Sequence, residues 1–138
     1  MQRTQLPDIT PISAPYWDAA KQHELLLPKC GACERFFFPP RAWCPHCYEA
    51  GQLGWETASG DGSILSFSQV HVPPFENYAE TLPYVVAIVK LAEGPQLMAN
   101  IIDCDPYEVA IGQNVRVTFE ERIEGVSVPQ FALKRANQ

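Results

Sequence analysis

Residues 30–47 read CGACERFFFPPRAWCPHC and hold four of the five cysteines of this 138-residue chain. The cysteines form two Cys-x-x-Cys pairs, Cys30 with Cys33 and Cys44 with Cys47, which ten residues separate. Each pair can present two thiolates from one tight chain reversal, and two facing reversals create a tetrahedral four-sulfur site of the kind that zinc occupies in structural sites. The spacing therefore predicts one structural zinc ion held by all four side chains.

Two other uses of the paired cysteines remain open at this point. Two disulfides would need an oxidising compartment, and a thioredoxin-like redox pair would need one Cys-x-x-Cys at a strand-to-helix turn. No stretch approaches the roughly 20 apolar residues of a membrane helix, and the N-terminus lacks the pattern of a secretory signal. We therefore expect a cytoplasmic protein without a membrane partner, whose reduced thiols favour metal.

The remaining cysteine and the histidines give no sign of catalysis. Cys104 ends a strand-like run and is expected to be a small, half-buried apolar residue. His46 lies inside the second pair, but four cysteines already complete the coordination shell, so we expect it at the surface. His71 would need a positioned partner and a pocket to act as a base. Because no hydrolase elbow, phosphate loop or metalloprotease motif occurs, we expect no catalytic residue in this chain.

Charge is distributed unevenly along the chain. Residues 1–52 carry five basic and five acidic side chains, whereas residues 53–138 carry five basic and eleven acidic ones and account for the formal net charge of −6. Nucleic-acid binding draws much of its affinity from the neutralisation of phosphates. The acidic second part therefore argues against a nucleic-acid partner.

The chain is predicted to have three parts, with boundaries at 1–24, 25–52 and 53–138. Residues 1–11 resemble a loose arm, and a helix is predicted from Ser13 to Glu24, with Ser13 as its cap and Pro15 in its first turn. The apolar stripe of this helix is short and includes Trp17. Such a helix needs a surface to pack against, on its own chain or on a partner.

The second part is predicted to be a zinc ribbon. Leu25 to Leu27 should form a strand that leads into the first pair, and Arg35 to Phe38 should form a second strand that Pro39 and Pro40 end. Side chains alternate along a strand, so Phe36, Phe37 and Phe38 cannot all face one small core. At least one of the three should contact a neighbouring domain or another protein. Trp17 and these phenylalanines are therefore candidate anchors of a partner interface.

The third part is predicted to be entirely β. Its five strands should be separated by turns, with a loop from Phe75 to Leu82 and one helical turn near Asp105 to Val109. The predicted strands cover Ser63 to His71, Tyr84 to Leu91, Gln96 to Asp103, Val115 to Phe119 and Val126 to Leu133. A helical link between the third and fourth of five strands is the order of a Greek-key OB-fold barrel. The predicted fold class is thus mostly β, with an N-terminal helix, a four-cysteine zinc ribbon and a five-stranded OB-fold.

This combination resembles the family long catalogued as domain of unknown function 35, in which a rubredoxin-like zinc ribbon precedes an OB-fold. The resemblance runs from Tyr16-Trp17-Asp18 to Phe131. It rests on Cys30-Gly31-Ala32-Cys33, Phe37-Phe38-Pro39-Pro40-Arg41, Cys44-Pro45-His46-Cys47, Gly60-Asp61-Gly62, Leu82-Pro83-Tyr84-Val85-Val86, Ile111-Gly112 and Val126 to Phe131. The chain departs from the pattern at Glu34, where a glycine is common, and at Gln96-Leu97, where an arginine often follows the turn.

The resemblance implies a role that depends on a partner. Members accompany thiolase-fold enzymes such as thiolases, acyltransferases and retro-aldolases, or are bound or fused to enoyl-CoA hydratases. The small subunit supports the complex and can help to surround the CoA arm, while the partner supplies the catalytic residues. We therefore expect a hetero-oligomer with acyl-CoA at a shared site, in which Arg41 pairs with a partner carboxylate or a CoA phosphate.

A second function of a different class remains open. Zinc ribbons and OB-folds both occur in modules that bind single-stranded nucleic acid, and Phe67 on the barrel could stack a base. The same residue could instead fill the barrel core. Salt-sensitive retention on single-stranded nucleic acid would favour this alternative, whereas copurification with an acyl-CoA enzyme would favour the accessory subunit.

Overall fold

The computed structural model describes residues 6–72 and 82–134. Its elements are the helix α1 (Ala14–Lys21) and the strands β1 (Leu26–Cys30), β2 (Leu53–Thr57), β3 (Asp61–Val70), β4 (Tyr84–Leu91), β5 (Gln96–Ile102), β6 (Asn114–Glu121) and β7 (Ser127–Leu133). A 3-10 turn at Pro106–Glu108 lies between β5 and β6, where the sequence predicted a helical turn. The start of the predicted N-terminal arm and nearly all of the predicted loop from Phe75 to Leu82 lie outside the described residues.

Five strands close into a barrel in the order β3-β4-β5-β7-β6. The β5–β7 pair is parallel, and all other neighbouring pairs are antiparallel. Closure leaves no free sheet edge, which is how a small antiparallel barrel avoids edge-to-edge association. The predicted OB-fold is confirmed.

The barrel core follows from the alternation of side chains along the strands. Val85, Ala87, Val89 and Leu91 of β4 are buried, and the intervening side chains are more exposed. The alternation of buried and exposed side chains is interrupted in β3. A register irregularity between Ile64 and Ser66 leaves Leu65 exposed there. The apolar run from Ile64 to Val70 therefore belongs to one strand, although its apolar side chains do not all point inward.

Gly60 and Gly62 bring the start of β3 close to its neighbours. A Cβ at Gly62 would lie 2.7 Å from the carbonyl oxygen of Lys90, and one at Gly60 would lie 2.5 Å from a methyl group of Val117. Gly60 also has φ +86°, a conformation that other residues rarely adopt. The Gly-Asp-Gly motif is thus required for barrel closure at this corner.

The ribbon pairs differently from the prediction. β1 pairs along its whole length with β2, from Leu26 opposite Thr57 to Cys30 opposite Leu53. Arg35 to Phe38, predicted to be the second strand, makes only one isolated bridge, between Lys29 and Phe36. That prediction is wrong, because Pro39 and Pro40 have no N–H group and cannot extend a ladder beyond the bridge.

The N-terminal helix is shorter than predicted. It ends at Lys21 instead of Glu24, and Ser13 occupies the cap position without a hydrogen bond from its side chain to the helix. The Ser13 hydroxyl instead accepts the N–H of Thr10 at 3.0 Å. Pro15 lies in the first turn, as predicted. No helix among the described residues has the length and apolar character that crossing a membrane requires.

The helix and ribbon share a core with the barrel. Tyr16 of α1 and Leu27 of β1 belong to the same buried apolar cluster as the barrel side chains. Just after the helix, the ring of His23 stacks on Phe119 of β6, with centroids 5.2 Å apart. These contacts hold the ribbon against the barrel.

A carboxylate at the barrel corner gives a pH-dependent contribution to stability. Asp61 Oδ1 lies 3.1 Å from Arg116 Nε and 3.6 Å from Lys134 Nζ. The hydrogen bond from Arg116, with a smaller effect of Lys134, lowers the pKa of Asp61 below its ordinary 3.8. A carboxyl group with a lowered pKa stabilises the fold above its unfolded-state pKa, and this contribution is lost as the pH falls through the folded-state pKa.

We therefore expect Asp61→Asn to reduce the free energy of unfolding at neutral pH and to have little effect at about pH 2. Urea unfolding of both proteins at the two pH values measures the difference. Asp18→Asn is the control, since Asp18 is exposed and has no ion pair among the residues described. Equal losses on acidification in the wild type and in Asp61→Asn would contradict the prediction.

Candidate metal centre

Two chain reversals of the same design carry the four cysteines. In the first knuckle (residues 30–35), the N–H of Cys30 donates to the carbonyl oxygen of Arg35 at 3.0 Å, and the N–H of Glu34 donates to the carbonyl oxygen of Cys30 at 2.8 Å. The second knuckle (residues 44–49) has the same two hydrogen bonds. The N–H of Cys44 donates to the carbonyl oxygen of Glu49, and the N–H of Tyr48 donates to that of Cys44, each at 2.9 Å. Because the two knuckles share this backbone hydrogen bonding, each directs its two cysteine side chains toward the other knuckle.

The residue after each second cysteine has a left-handed backbone. Glu34 has φ 60° and Tyr48 has φ 66°. This conformation costs about 1–2 kcal/mol for a residue with a Cβ, which explains why glycine is common at the first of these positions in the resembling family. Glu34 therefore adopts this strained backbone conformation in place of a glycine, and the first knuckle keeps the same hydrogen bonds as the second.

The four Sγ atoms form one compact group, within 4.8 Å of one another. Across the knuckles, Cys30 Sγ lies 3.6 Å from Cys47 Sγ, and Cys33 Sγ lies 3.7 Å from Cys44 Sγ. A zinc ion with bonds of about 2.3 Å to four sulfurs at tetrahedral angles separates them by about 3.8 Å. Disulfide bonding would require about 2.05 Å, and all four cysteines are free. The donor set and its spacing therefore fit one zinc ion.

One side of the sulfur cluster is buried, and the other side is exposed. Cys30 and Cys44 are buried beside Phe37, whereas Cys47 is exposed. Burial by itself would raise the pKa of the Cys44 thiol. Hydrogen bonds from the backbone N–H groups of Cys47 and His46, together with the neighbouring thiols, have the larger effect and lower this pKa to about 7. Thiolates are the metal-binding form, so the backbone prepares this side chain for coordination.

His46 does not belong to the sulfur cluster. Its side chain is exposed, as predicted, and its Nε2 lies 3.3 Å from the carbonyl oxygen of Phe36. Its backbone N–H serves the metal site instead, since it donates to Cys44 Sγ at 3.3 Å. The residue thus supports the site through its main chain.

The predicted interface anchors differ in their availability. Phe37 is only 3% exposed and packs on Cys30 and Cys44, so its burial does not support a direct contact with a partner. Phe36 and Phe38 are half-buried against the shared core. Phe38 lies 5.3 Å from the ring of Tyr16, so part of the predicted aromatic surplus is covered by the helix.

The other two predicted contact residues are Trp17 and Arg41. Trp17 is partly buried and meets Tyr16 edge to face at 4.9 Å. Arg41 is exposed and has no ion pair in the described part of the chain. These two side chains stay candidate contacts.

Sequence reasoning missed two exposed aromatic residues on the ribbon. Trp43 is 49% exposed and Tyr48 is 77% exposed, and they directly flank the two cysteines of the second knuckle. The available signal was the position of Trp43 just before Cys44, because a side chain beside a ligand on a small knuckle has little core to enter. Large exposed aromatic side chains of this kind commonly mark interaction surfaces.

Comparison with known proteins agrees with this architecture. The family model described as ChsH2, rubredoxin-like zinc ribbon domain, matches residues 17–53. The model described as ChsH2, C-terminal OB-fold domain, matches residues 55–120. The two matches follow each other in the same order as the ribbon and the barrel.

Similar proteins include one with a hydratase name and one with a scaffold name. The chain is 35% identical over 127 residues to a probable enoyl-CoA hydratase alpha subunit of Thermomonospora curvata, covering 91% of this chain but only 38% of that protein. It is 39% identical over 118 residues to a DUF35 domain-containing scaffold protein of Methanothermobacter thermautotrophicus, covering 83% of this chain and 88% of the relative. The chain thus spans little more than a third of the hydratase subunit and most of the scaffold protein.

A solved structure shares the whole arrangement of ribbon and barrel. It is described as Ltp2-ChsH2(DUF35) aldolase, and one of its chains superposes with a TM-score of 0.83 at 33% identity. The match covers 93% of this chain and 98% of that one. By its two domain matches, its identity to a relative that it nearly spans and its fold, this chain belongs to the DUF35 family.

Proposed function

We propose that this chain is a non-catalytic accessory subunit of an acyl-CoA-processing complex. The observation that carries the proposal is the superposition, over nearly its full length, on a chain of an Ltp2-ChsH2(DUF35) aldolase. Proteins with the same module bear the names hydratase alpha subunit and scaffold protein. A module shared by proteins named for different activities is best explained by an assembly role that does not depend on one reaction.

The proposed partner is a thiolase-fold or hydratase-type enzyme, which would supply the catalytic residues. The acyl-CoA would lie at a site that both subunits line. Arg41 is exposed on the ribbon and has no ion pair among the described residues. Its guanidinium group would bind a CoA phosphate or a partner carboxylate. A reducing cytoplasm would keep the four cysteines available for the metal.

We place the partner contact on the ribbon and the helix. Trp17, Phe36, Phe38 and Arg41 remain in this interface, with Phe37 supporting it from inside the ribbon. Trp43 and Tyr48 join them because both are exposed aromatic side chains that flank the two cysteines of the second knuckle. Aromatic residues and arginine commonly contribute most of the binding free energy at interfaces.

The proposal is tested by affinity purification of the tagged chain from native cells, followed by reconstitution with the purified enzyme that it retains. We expect a stable complex with an enzyme of acyl-CoA metabolism, and no acyl-CoA turnover by the isolated chain. Turnover by pure isolated chain, or retention of no such enzyme, would contradict the proposal.

With the reconstituted complex, we expect Trp43→Ala to weaken association by about 1–3 kcal/mol, the usual cost of truncating an aromatic anchor. Zinc content should stay at one equivalent, since Trp43 is not a ligand. Isothermal titration calorimetry and elemental analysis give the two readouts.

Tyr107→Ala is the matched control for this variant. Tyr107 is also an exposed aromatic residue. Tyr107 follows Pro106, whose carbonyl oxygen accepts a hydrogen bond from Gln69 near the end of β3. That end of β3 pairs with the start of β4 at Tyr84, whereas the ribbon faces the turn that follows the end of β4. Equal affinity of wild type and Trp43→Ala would place the contact elsewhere.

The nucleic-acid alternative finds less support. Phe67 is partly buried and packs against the barrel core, so its contacts fit a role in the core. The barrel part also carries the acidic excess. Salt-sensitive retention of the pure chain on single-stranded DNA would revive the alternative.

A further inference from the structure

Strand β2 (Leu53–Thr57) has a neighbouring strand on one side only. The ribbon sheet consists of β1 and β2, whereas the five barrel strands close into a ring. The far side of β1 is occupied, because the N–H of Cys30 donates to the carbonyl oxygen of Arg35 and the N–H of Phe37 donates to that of Pro28. Within the described residues, no segment forms backbone hydrogen bonds with the far side of β2, which we call the outer edge.

Two hydrogen bonds at the ends of the β1–β2 ladder show which backbone groups lie on the outer edge. The N–H of Ala58 donates to the carbonyl oxygen of Leu25, and the N–H of Gly31 donates to that of Gln52, each at 2.7 Å. Successive residues of an antiparallel strand direct their N–H and C=O groups to opposite sides. The even-numbered residues of β2 therefore face β1. The outer edge carries the N–H and C=O groups of Leu53, Trp55 and Thr57.

The outer edge is accessible and already ordered. Gly54, Glu56 and Thr57 are exposed, while Trp55 packs against the barrel core and Leu53 against the sulfur cluster. Pairing would therefore cost little further conformational freedom. Soluble proteins usually protect such an edge with a proline, a lysine or a bulge. β2 contains no proline or lysine and its register with β1 is unbroken, so this edge is open to an added strand.

A hollow of about 310 Å³ lies beside this edge. Its lining includes Gly54 and Trp55, and its charged groups are Lys29, Glu34 and Glu56. Lys29 Nζ and Glu56 Oε2 form an ion pair at 2.8 Å, so Glu34, which has no ion pair within the described chain, gives the lining a net negative charge. A Cβ at Gly54 would have no neighbour closer than 4.0 Å. The hollow thus has room and charge for a basic side chain from a neighbouring strand.

We propose that an extended segment of the enzyme partner pairs with the outer edge of β2 and places a basic side chain in the hollow beside Gly54. In this mode of recognition, main-chain hydrogen bonds supply affinity and side-chain pockets supply specificity. β2 carries no basic residue of its own, so pairing of the same edges of two copies would leave both hollows without a cation.

The position of β2 in the chain also favours the enzyme as the occupant. β2 begins five residues after Tyr48, so the outer edge continues the partner contact that we place on the second knuckle. For the identity of the occupant, this inference rests on the proposed function. The availability of the edge is a property of this chain alone, and the two statements can be tested separately.

The first experiment measures residue-resolved amide hydrogen exchange in the full-length, zinc-loaded chain and in the reconstituted complex. In the isolated chain, the Trp55 and Thr57 amides should exchange faster than those of Gly54 and Glu56, which donate to β1. In the complex, exchange at Trp55 and Thr57 should slow at least about tenfold. Slow exchange at both amides in the isolated chain, or unchanged exchange in the complex, would overturn the proposal.

A proline variant then tests the hydrogen bonds of the edge. Thr57→Pro removes one outward N–H and leaves the ladder with β1 intact, as proline does on a free edge. We expect at least about tenfold weaker association with the enzyme, because a partner carbonyl group loses its donor. Thr57→Val keeps the N–H and is the matched control, with an effect below about threefold. Unchanged zinc content and slow Glu56 exchange verify that both variants are folded.

A charge reversal tests the hollow. Glu34→Lys should weaken association about tenfold at low salt and less at high salt, because it places a cation beside the incoming basic side chain. Glu124→Lys makes the same change at an exposed position of the β6–β7 connection and should have an effect below about threefold. Equal effects of the two reversals would overturn the basic side chain.

The remaining outcomes separate the occupants. A stable enzyme complex with equal affinity for Thr57→Pro and Thr57→Val would leave the proposed function standing and overturn the added strand. A wild-type dimer that Thr57→Pro dissociates, measured by sedimentation, would identify a second copy as the occupant and also overturn the proposal. Failure to retain any enzyme would refute the proposed function and the occupant, while hydrogen exchange in the isolated chain would still decide whether the edge is open.

Discussion

We expect Cys44→Ser to abolish stoichiometric zinc binding and to unfold the two knuckles of the ribbon, the largest effect that we predict. Among the described residues, the apolar cluster around the site consists of Cys30, Phe37 and Cys44, with Cys33 and Leu53 at its edge. So small a core cannot hold the two knuckles together without the metal, although β1 also packs on the barrel core. Zinc contributes about 10–16 kcal/mol to the folding of comparable modules, and serine is a far weaker ligand than a thiolate.

Elemental analysis of the freshly purified variant measures the metal, and NMR dispersion of the ribbon signals measures the fold. The matched control is Cys104→Ser, since Cys104 is outside the sulfur cluster and packs against the barrel core. That variant should retain one equivalent of zinc. A full equivalent of zinc in Cys44→Ser, with a folded ribbon, would contradict the four-cysteine site.

The second largest effect is expected for Phe131→Ala, which should lower the free energy of unfolding by about 3–5 kcal/mol. Phe131 lies on β7 opposite Ile101 and Val117, and none of its surface is exposed. Its removal would leave a cavity among strands that cannot move inward without breaking the closed barrel. Urea unfolding followed by circular dichroism measures the change.

Met98→Ala is the control for this variant, since Met98 is a large apolar residue of β5 that is 69% exposed. Its replacement should change stability by less than about 0.5 kcal/mol. At native conditions Phe131→Ala should keep its zinc, because the metal cluster has its own buried neighbours. A loss below about 1 kcal/mol would mean that Phe131 does not fill the barrel core as the structure has it.

The grouping of the four cysteines and most strands could be predicted because their signals are local. Cys-x-x-Cys spacing restricts where two sulfurs can lie, whatever the rest of the chain does. The predicted Tyr84 to Leu91 matches β4, since a nearly continuous apolar run between turn residues leaves few other structures open. Boundaries elsewhere differ by a few residues, as hydrogen bonds at strand ends depend on the neighbouring strand.

The prediction of a second ribbon strand was wrong in its extent. Arg35 to Phe38 has the composition of a strand, but it makes only the Lys29–Phe36 bridge on one edge of β1, while β1 pairs along its other edge with Leu53–Thr57. Similarly, Ser13 has the right position for a cap, yet its hydroxyl binds Thr10. Composition indicates which segments can form a strand, but it does not report how far the pairing continues or which distant segment covers the other edge.

Cysteine spacing was sufficient to predict the four-sulfur group, strand patterning to predict the order of ribbon and barrel, and a count of charges to predict the acidic character of the second part. Only the tertiary structure decides that Phe37 is buried and Trp43 exposed, and that no described segment pairs with the outer edge of β2. The reason is physical. A tetrahedral sulfur site and an alternating strand are local patterns, whereas exposure and an open strand edge depend on how surfaces distant in sequence cover one another.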